Sequence, residues 1–432
     1  MRKTVYLLSI VLVIAAAGFA RAAGTSTVAK ENAELRQKVD QLDKELEDLK
    51  KAVMQQTGAS MDTIPKPVWS NLDIQLYGYL KLDSAYDSSR INNGNYPQWV
   101  ESESTNDNDD QFNMTANETR LGMLINGPDN GGMKASGRVE VDFYGGGNEN
   151  KANLMMRHAF FKLDWPEDRF NIIAGQTSDV ISPLFPTTVS YSVCWWTGNI
   201  GYRRPQIRLT KELGFETGGF LKLEGALART IGRDNVALAG TTDSGEDAGI
   251  PSLQGRASLT LPMFGAEEAT IGLSGHWAEE EYDIAANGQD KEFRTWSLNL
   301  DYTQPVCSKM TIKAELFKGE NLDAYLGGIG QGVTLTGINQ YEEIGSKGGW
   351  IAASLGPWEN KCFNVGIAVD DVDSGDTNVG DRTLNRSMFG NVICALNKQT
   401  DVGFELSHWR TEYNGSGDAE SLRAQLALKY KF

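Results

Sequence analysis

The chain has 432 residues and a formal charge of −16, which disfavours a nucleic-acid partner because phosphate contacts need the opposite sign. Glycine is abundant (46) and proline sparse (12), a balance that suits many strands joined by tight turns. Four cysteines, Cys194, Cys307, Cys362 and Cys394, lack CxxC spacing and argue against a zinc site, so no metal or other cofactor is expected.

The chain opens with basic Arg2 and Lys3, an apolar run over Val5–Ala17 and the small pair Ala20 and Ala22. This reads as a secretory signal over 1–22; the alternative, a membrane anchor helix, suffers from the shortness of the run. Removing Arg2, Lys3 and Arg21 brings the charge to −19. No other stretch approaches the roughly 18 apolar residues of a spanning helix.

Residues 23–56 follow a different rule. Val28, Leu35, Val39, Leu42, Leu46, Leu49 and Val53 recur in alternating steps of three and four, with Asn32 at a core position. The flanking pairs Glu31/Arg36, Lys38/Asp43 and Glu45/Lys50 carry opposite signs, as between neighbouring parallel helices. The expectation is an α-helical coiled-coil stalk with Leu35, Val39, Leu42, Leu46 and Leu49 in its core; the alternative is one amphipathic helix packed on its own domain. Val at a, Leu at d and a buried Asn lean toward two strands, whereas the domain that follows leans toward three. Residues 57–71, with Gly58, Ser60 and two prolines, read as a linker.

From Leu72 onward a period of two takes over. In LDIQLYGYLKLD, Leu72, Ile74, Leu76, Leu80 and Leu82 share one face, while Asp73, Gln75, Lys81 and Asp83 share the other. MKASGRVEVDFY, FLKLEGALART and WSLNLDYT behave alike. The final segment, SLRAQLALKYKF, sets Leu422, Leu426, Leu428, Tyr430 and Phe432 against Arg423, Gln425, Lys429 and Lys431. Alternation alone fits a soluble sandwich or a membrane barrel. The connections decide between them. Short turns fall near 127–132, 166–169, 212–217, 262–268, 305–309, 357–361 and 397–400. Longer polar loops fall near 88–111, 145–153, 178–200, 232–251, 279–293, 319–346, 371–382 and 414–420. Seven turns strictly alternating with eight loops predict an all-β transmembrane barrel of 16 antiparallel strands over 72–432, with strands of roughly 9–11 residues. A closed barrel also removes the greasy edge that the last strand would otherwise present. An even strand count puts both barrel ends, and the stalk with them, in the periplasm.

The stalk, LYGYLKLDSAYD, ETRLGMLINGP, GRVEVDFYGGG, RHAFFKLDW, AGQTSDVISPL and GNIGYRRPQIRLTK together resemble the DcaP-like family of outer-membrane porins. The match covers the stalk and the first six strands and loosens after residue 230. The resemblance implies a sixteen-stranded homotrimer with a periplasmic coiled coil, passing small solutes, often anionic ones.

Arg120, Arg138, Arg204, Arg208 and Arg256 all fall on the inward face by phase. Guanidinium groups keep their charge and grip carboxylates or phosphates in pairs, so an arginine wall would draw small anions. The alternative is that they pair with acids such as Glu118, Glu140 and Asp142 and hold the wall. The loop DVISPLFPTTVSYSVCWWTGNI is too apolar for an exposed outer loop; Asp179, Ser182, Tyr191, Trp195 and Trp196 are read as a constriction folded into the barrel. The alternative is an outer loop packed at a trimer axis. ESESTNDNDD at 101–110 reads as a solvated loop, with divalent ions beside lipopolysaccharide as the alternative.

These readings point to an outer-membrane porin for passive diffusion of small hydrophilic solutes, favouring small anions such as carboxylates. Its expected partners are its own copies, outer-membrane lipid and lipopolysaccharide. Two alternatives remain: a phosphate-selective porin, and a structural tether whose stalk grips peptidoglycan. An enzyme is disfavoured. GLSGH fails the G-x-S-x-G pattern because position 276 is His276, and no acid completes a triad with Ser274. A cross-strand disulfide between Cys362 and Cys394 is a further expectation, with Cys307 as the rival partner.

Overall fold

The computed structural model describes residues 72–432, apart from 107, 147–150, 217, 233–244, 264–266, 285–288 and 338–339, together with Gln41 and Lys44. The expected signal, the linker, and the stalk apart from Gln41 and Lys44, with its core residues Leu35, Val39, Leu42, Leu46 and Leu49, lie outside the described residues.

The described domain is a closed antiparallel barrel. Strand β1 is Asp73–Asp87; β2 comes in two pieces, Gln111–Thr115 and Arg120–Asn130, which pair with successive halves of β1. Then follow β3 Met133–Asp142, β4 Met155–Trp165, β5 Phe170–Ser178, β6 Arg203–Gly214, β7 Phe220–Ala228 and β8 Ser252–Met263. The second half holds β9 Glu267–Ile284, β10 Gln289–Cys307, β11 Met310–Glu320, β12 Gly345–Trp358 and β13 Lys361–Val372. It ends with β14 Arg382–Ala395, β15 Thr400–Tyr413 and β16 Ala419–Lys431. Pairing of β16 with β1, from Lys431 opposite Tyr79 to Arg423 opposite Asp87, closes the ring at sixteen strands. Closure leaves the wall no open strand edge, so its backbone donors and acceptors face a neighbouring strand, as a structure in hydrocarbon requires.

The outward face is apolar and exposed along every wall, for example at Leu76, Leu121, Ile207, Leu273, Val365 and Leu422. Core packing lies inside instead, where loops meet the inner wall. The expected loop at 279–293 is mostly strand. β9 and β10 pair as far as Ile284 opposite Gln289, leaving only 285–288 between them. The cause is local cover: Tyr282 and Phe293 are buried beneath Val333 and Tyr341 of a small hairpin, Val333–Gly337 with Gln340–Glu343. Strand lengths also exceed the expected 9–11 residues, reaching 18 in β9 and 19 in β10.

All four cysteines are free. Register explains why the Cys362–Cys394 pair does not form. Cys394 stands opposite Lys361, and Cys362 opposite Ile393, so the two thiols point to opposite faces of the sheet.

Candidate pore constriction

The connection between β5 and β6, residues 179–202, does not arch over the mouth but crosses the barrel interior. Its apolar side chains need cover, and its backbone needs partners. The inner wall supplies both. Gln254 of β8 accepts from Val180 N at 2.8 Å, Glu315 of β11 from Leu184 N at 2.8 Å, and Glu405 of β15 from Val189 N at 2.7 Å. Lys81 of β1 donates to Val189 O at 2.8 Å, and Asn385 of β14 to Trp196 O at 2.8 Å. Cys194 packs on Trp350, Ala352, Ala368 and Phe389, and this burial pushes its thiol up to about 12. Gly198, at φ +122°, lies so close to the carbonyls of Gly349 and Val369 that no side chain would fit. β-Branched Val193 is held at φ +42°, a conformation that such residues rarely adopt unless their surroundings impose it.

The five inward residues expected at Tyr191, Trp195, Trp196, Asp179 and Ser182 take different positions. The Tyr191 hydroxyl meets Asp142 Oδ2 at 3.1 Å and Arg157 Nη1 at 3.0 Å, tying the loop to β3 and β4. Trp195 and Trp196 are buried; Trp196 stacks on Tyr96 at 5.8 Å between ring centroids. Ser182 is buried at φ +42°. Asp179 forms a buried ion pair with Arg204, 2.8 Å from its Nε.

The arginines fall into two groups. On β2–β4, Arg120, Arg138 and Arg157 converge on one carboxylate, Glu140. Arg157 Nε lies at 2.9 Å, Arg120 Nε at 3.5 Å and Arg138 Nη2 within hydrogen-bond reach. The Tyr77 hydroxyl adds a fourth donor at 2.7 Å. Arg157 also binds Asp142 at 2.6 Å. The Arg138 and Arg120 side chains keep 35% and 21% of their surface exposed to the lumen. The second group is neutralised. Arg204 does not reach open lumen: its side chain is 1% exposed, paired with Asp179 and laid 3.9 Å from the Tyr325 ring centroid. Arg256 grips Asp301 with two nitrogens at 2.9 and 2.7 Å and reaches Glu224 at 3.1 Å. Arg208 binds Gln206 and the Ser178 carbonyl, with Glu224 at 3.9 Å.

Arg157 escaped the reading by phase. Strict alternation from Phe161 and Ala159 would point it outward, but a bulge opposite Glu140 and Val141 shifts the register and turns it in. Arg423, paired twice with Asp87 at 2.8 and 3.0 Å, closes the seam between β16 and β1. His276 bonds Ser297 at 2.7 Å and Thr295 at 3.0 Å rather than Ser274. Among the described residues no group of three or more His, Cys, Asp or Glu is placed to hold a metal ion.

The DcaP outer membrane protein family model matches residues 11–225, which spans the residues expected to form a stalk and most of this site. The chain belongs to the DcaP family. The DcaP fold here is similar to the crystal structure of the outer membrane channel DcaP of Acinetobacter baumannii, at TM-score 0.67 and 22% identity over 84% of this chain and 98% of that one. It is also similar to an anion-selective porin from Comamonas acidovorans, at TM-score 0.52 and 13% identity over 84% of this chain and 100% of that one. OmpT of Vibrio cholerae, in its trimer form, aligns at TM-score 0.51 and 10% identity over 84% of this chain and 99% of that one. At these identities the likeness carries the fold. No curated protein sequence matches the chain. Family and neighbours are outer-membrane channels and porins, and this DcaP-family chain is an outer-membrane channel protein, not an enzyme.

Proposed function

We propose that the protein is a trimeric pore for passive diffusion of small hydrophilic solutes, favouring small anions such as carboxylates. The observation that carries this reading is the convergence of Arg120, Arg138 and Arg157 beside Tyr191 of the inward loop. Within this cluster three guanidiniums face two carboxylates, Glu140 and Asp142, which leaves one positive charge unmatched there. Low-dielectric surroundings and a narrow lumen focus that field on passing ions. Arg204, Arg208 and Arg256 serve as struts of the wall, because their charges are buried or matched. The apolar outer face meets lipid, with lipopolysaccharide around the long loops, which face outward, while the short turns and the stalk face the periplasm. The opposite-sign pairs flanking the heptads favour a second, compatible role: a parallel bundle that reinforces the trimer and reaches toward peptidoglycan.

The test is reversal potential in planar bilayers under asymmetric potassium chloride. The wild-type pore is expected to favour chloride, and Arg120→Gln with Arg138→Gln to shift it toward potassium. A cation-selective wild type would overturn the reading.

A further inference from the structure

A cavity of about 370 Å³ opens among the long loops and meets the arginine cluster on β2–β4 at Tyr191, whose hydroxyl reaches Arg157. Its walls are aromatic: Tyr96, Tyr144, Tyr191, Trp195, Trp196 and Tyr202. Tyr144 and Tyr191 lie 4.0 Å apart between centroids, and Tyr96 stacks on Trp196. Arg203 also lines this cavity. Its guanidinium sits 4.9 Å from the Tyr202 centroid and 5.7 Å from that of Trp195.

The polar atoms here are unusual. Arg203 is only 5% exposed, yet its Nε and Nη2 have no hydrogen-bond partner among the described residues. The same holds for the indole nitrogens of Trp195 and Trp196 and for the Tyr144 hydroxyl. No described carboxylate forms an ion pair with Arg203, in contrast to Arg157, Arg204, Arg256 and Arg423. Buried donors are costly to leave unmade, and a buried guanidinium most of all. A cluster rich in donors, poor in acceptors and walled by flat rings is complementary to an oxyanion carried on a flat ring. Arg203 is the one cation among the described residues of the lining, which matches a single negative charge and leaves a second one without a partner.

We propose that this cavity is a binding site at the long-loop mouth for a singly charged aromatic oxyanion. Its ring lies among the tyrosine and tryptophan faces, and its carboxylate or sulfonate oxygens accept from Arg203 and the indole N–H groups. As a capture step before the constriction, it rests on the channel reading; as a binding site, it stands on the cavity alone.

The experiment is equilibrium dialysis and isothermal titration with full-length folded protein in detergent, using naphthalene-1-sulfonate as the probe. Butane-1-sulfonate, naphthalene-1,5-disulfonate and 1-naphthol test the ring, the second charge and the need for charge, and each is expected to bind at least tenfold more weakly. Arg203→Gln should weaken naphthalene-1-sulfonate at least tenfold. Tyr144→Phe, which removes one donor and keeps the ring, should weaken it severalfold. No binding of naphthalene-1-sulfonate by the wild type, equal binding of the butane sulfonate or the disulfonate, or unchanged affinity in Arg203→Gln would overturn the proposal. If Arg203→Gln does not fold, the wild-type panel decides alone. Conductance of the same preparation in bilayers keeps the two readings separate: a non-conducting protein that binds the probe sinks the channel reading and leaves the site standing.

Discussion

Glu140 offers the sharpest handle on selectivity, because among the described residues it is the one acid on which three guanidiniums converge. Glu140→Gln keeps the shape and most hydrogen bonds but removes a charge. The local balance then moves from three against two to three against one. A unit charge about 8 Å from a passing ion is worth about 0.5 kcal/mol at the dielectric of water and about 2 kcal/mol at an effective value of 20. Screening over a Debye length of about 8 Å cuts this to roughly 0.2–0.8 kcal/mol. Chloride is favoured and potassium disfavoured by the same amount, so the permeability ratio should rise about twofold to fifteenfold toward chloride. The assay is the reversal potential of single channels across a tenfold salt gradient, at low and high ionic strength. The shift should shrink in high salt. An unchanged reversal potential, or one moving toward potassium, would refute the reasoning, because it would mean that permeating ions do not feel this cluster.

The Asp179–Arg204 pair is nearly sealed from water, so Asp179→Asn should destabilise the barrel by about 3–5 kcal/mol, read as a lower urea midpoint; an unchanged midpoint would mean that water reaches Arg204. Alkylation of the folded protein should modify exposed Cys307 first and spare Cys194, whose buried thiol is held at about 12, with all four thiols reacting after denaturation. Fewer than four thiols in the unfolded, unreduced chain would reveal a disulfide. Deleting residues 28–53 should weaken trimer survival in mild detergent while leaving β-structure intact by circular dichroism; loss of the barrel would show that stalk and barrel are not separate modules.

Much of the architecture was legible along the chain. The alternation in LDIQLYGYLKLD or SLRAQLALKYKF assigns each residue to a face, because successive strand side chains point to opposite sides. The strict exchange of short turns and long loops counts sixteen strands, and the apolar residues of 178–199 mark a loop that seeks cover. Phase also placed Arg120, Arg138, Arg204, Arg208 and Arg256 on the inner face. It does not say what each meets there. Arg204 and Asp179 are 25 positions apart, Arg256 and Asp301 45, and Arg423 and Asp87 336, and only closure of the ring brings the last pair together. A single bulge turned Arg157 inward, and a hairpin from a distant loop extended β9 and β10. A period of two is a property of the local backbone and can be read residue by residue. Which charge is neutralised, and which is left to act on a solute, depends on register, closure and the path of one loop across the lumen, and those are settled only when the whole chain has folded.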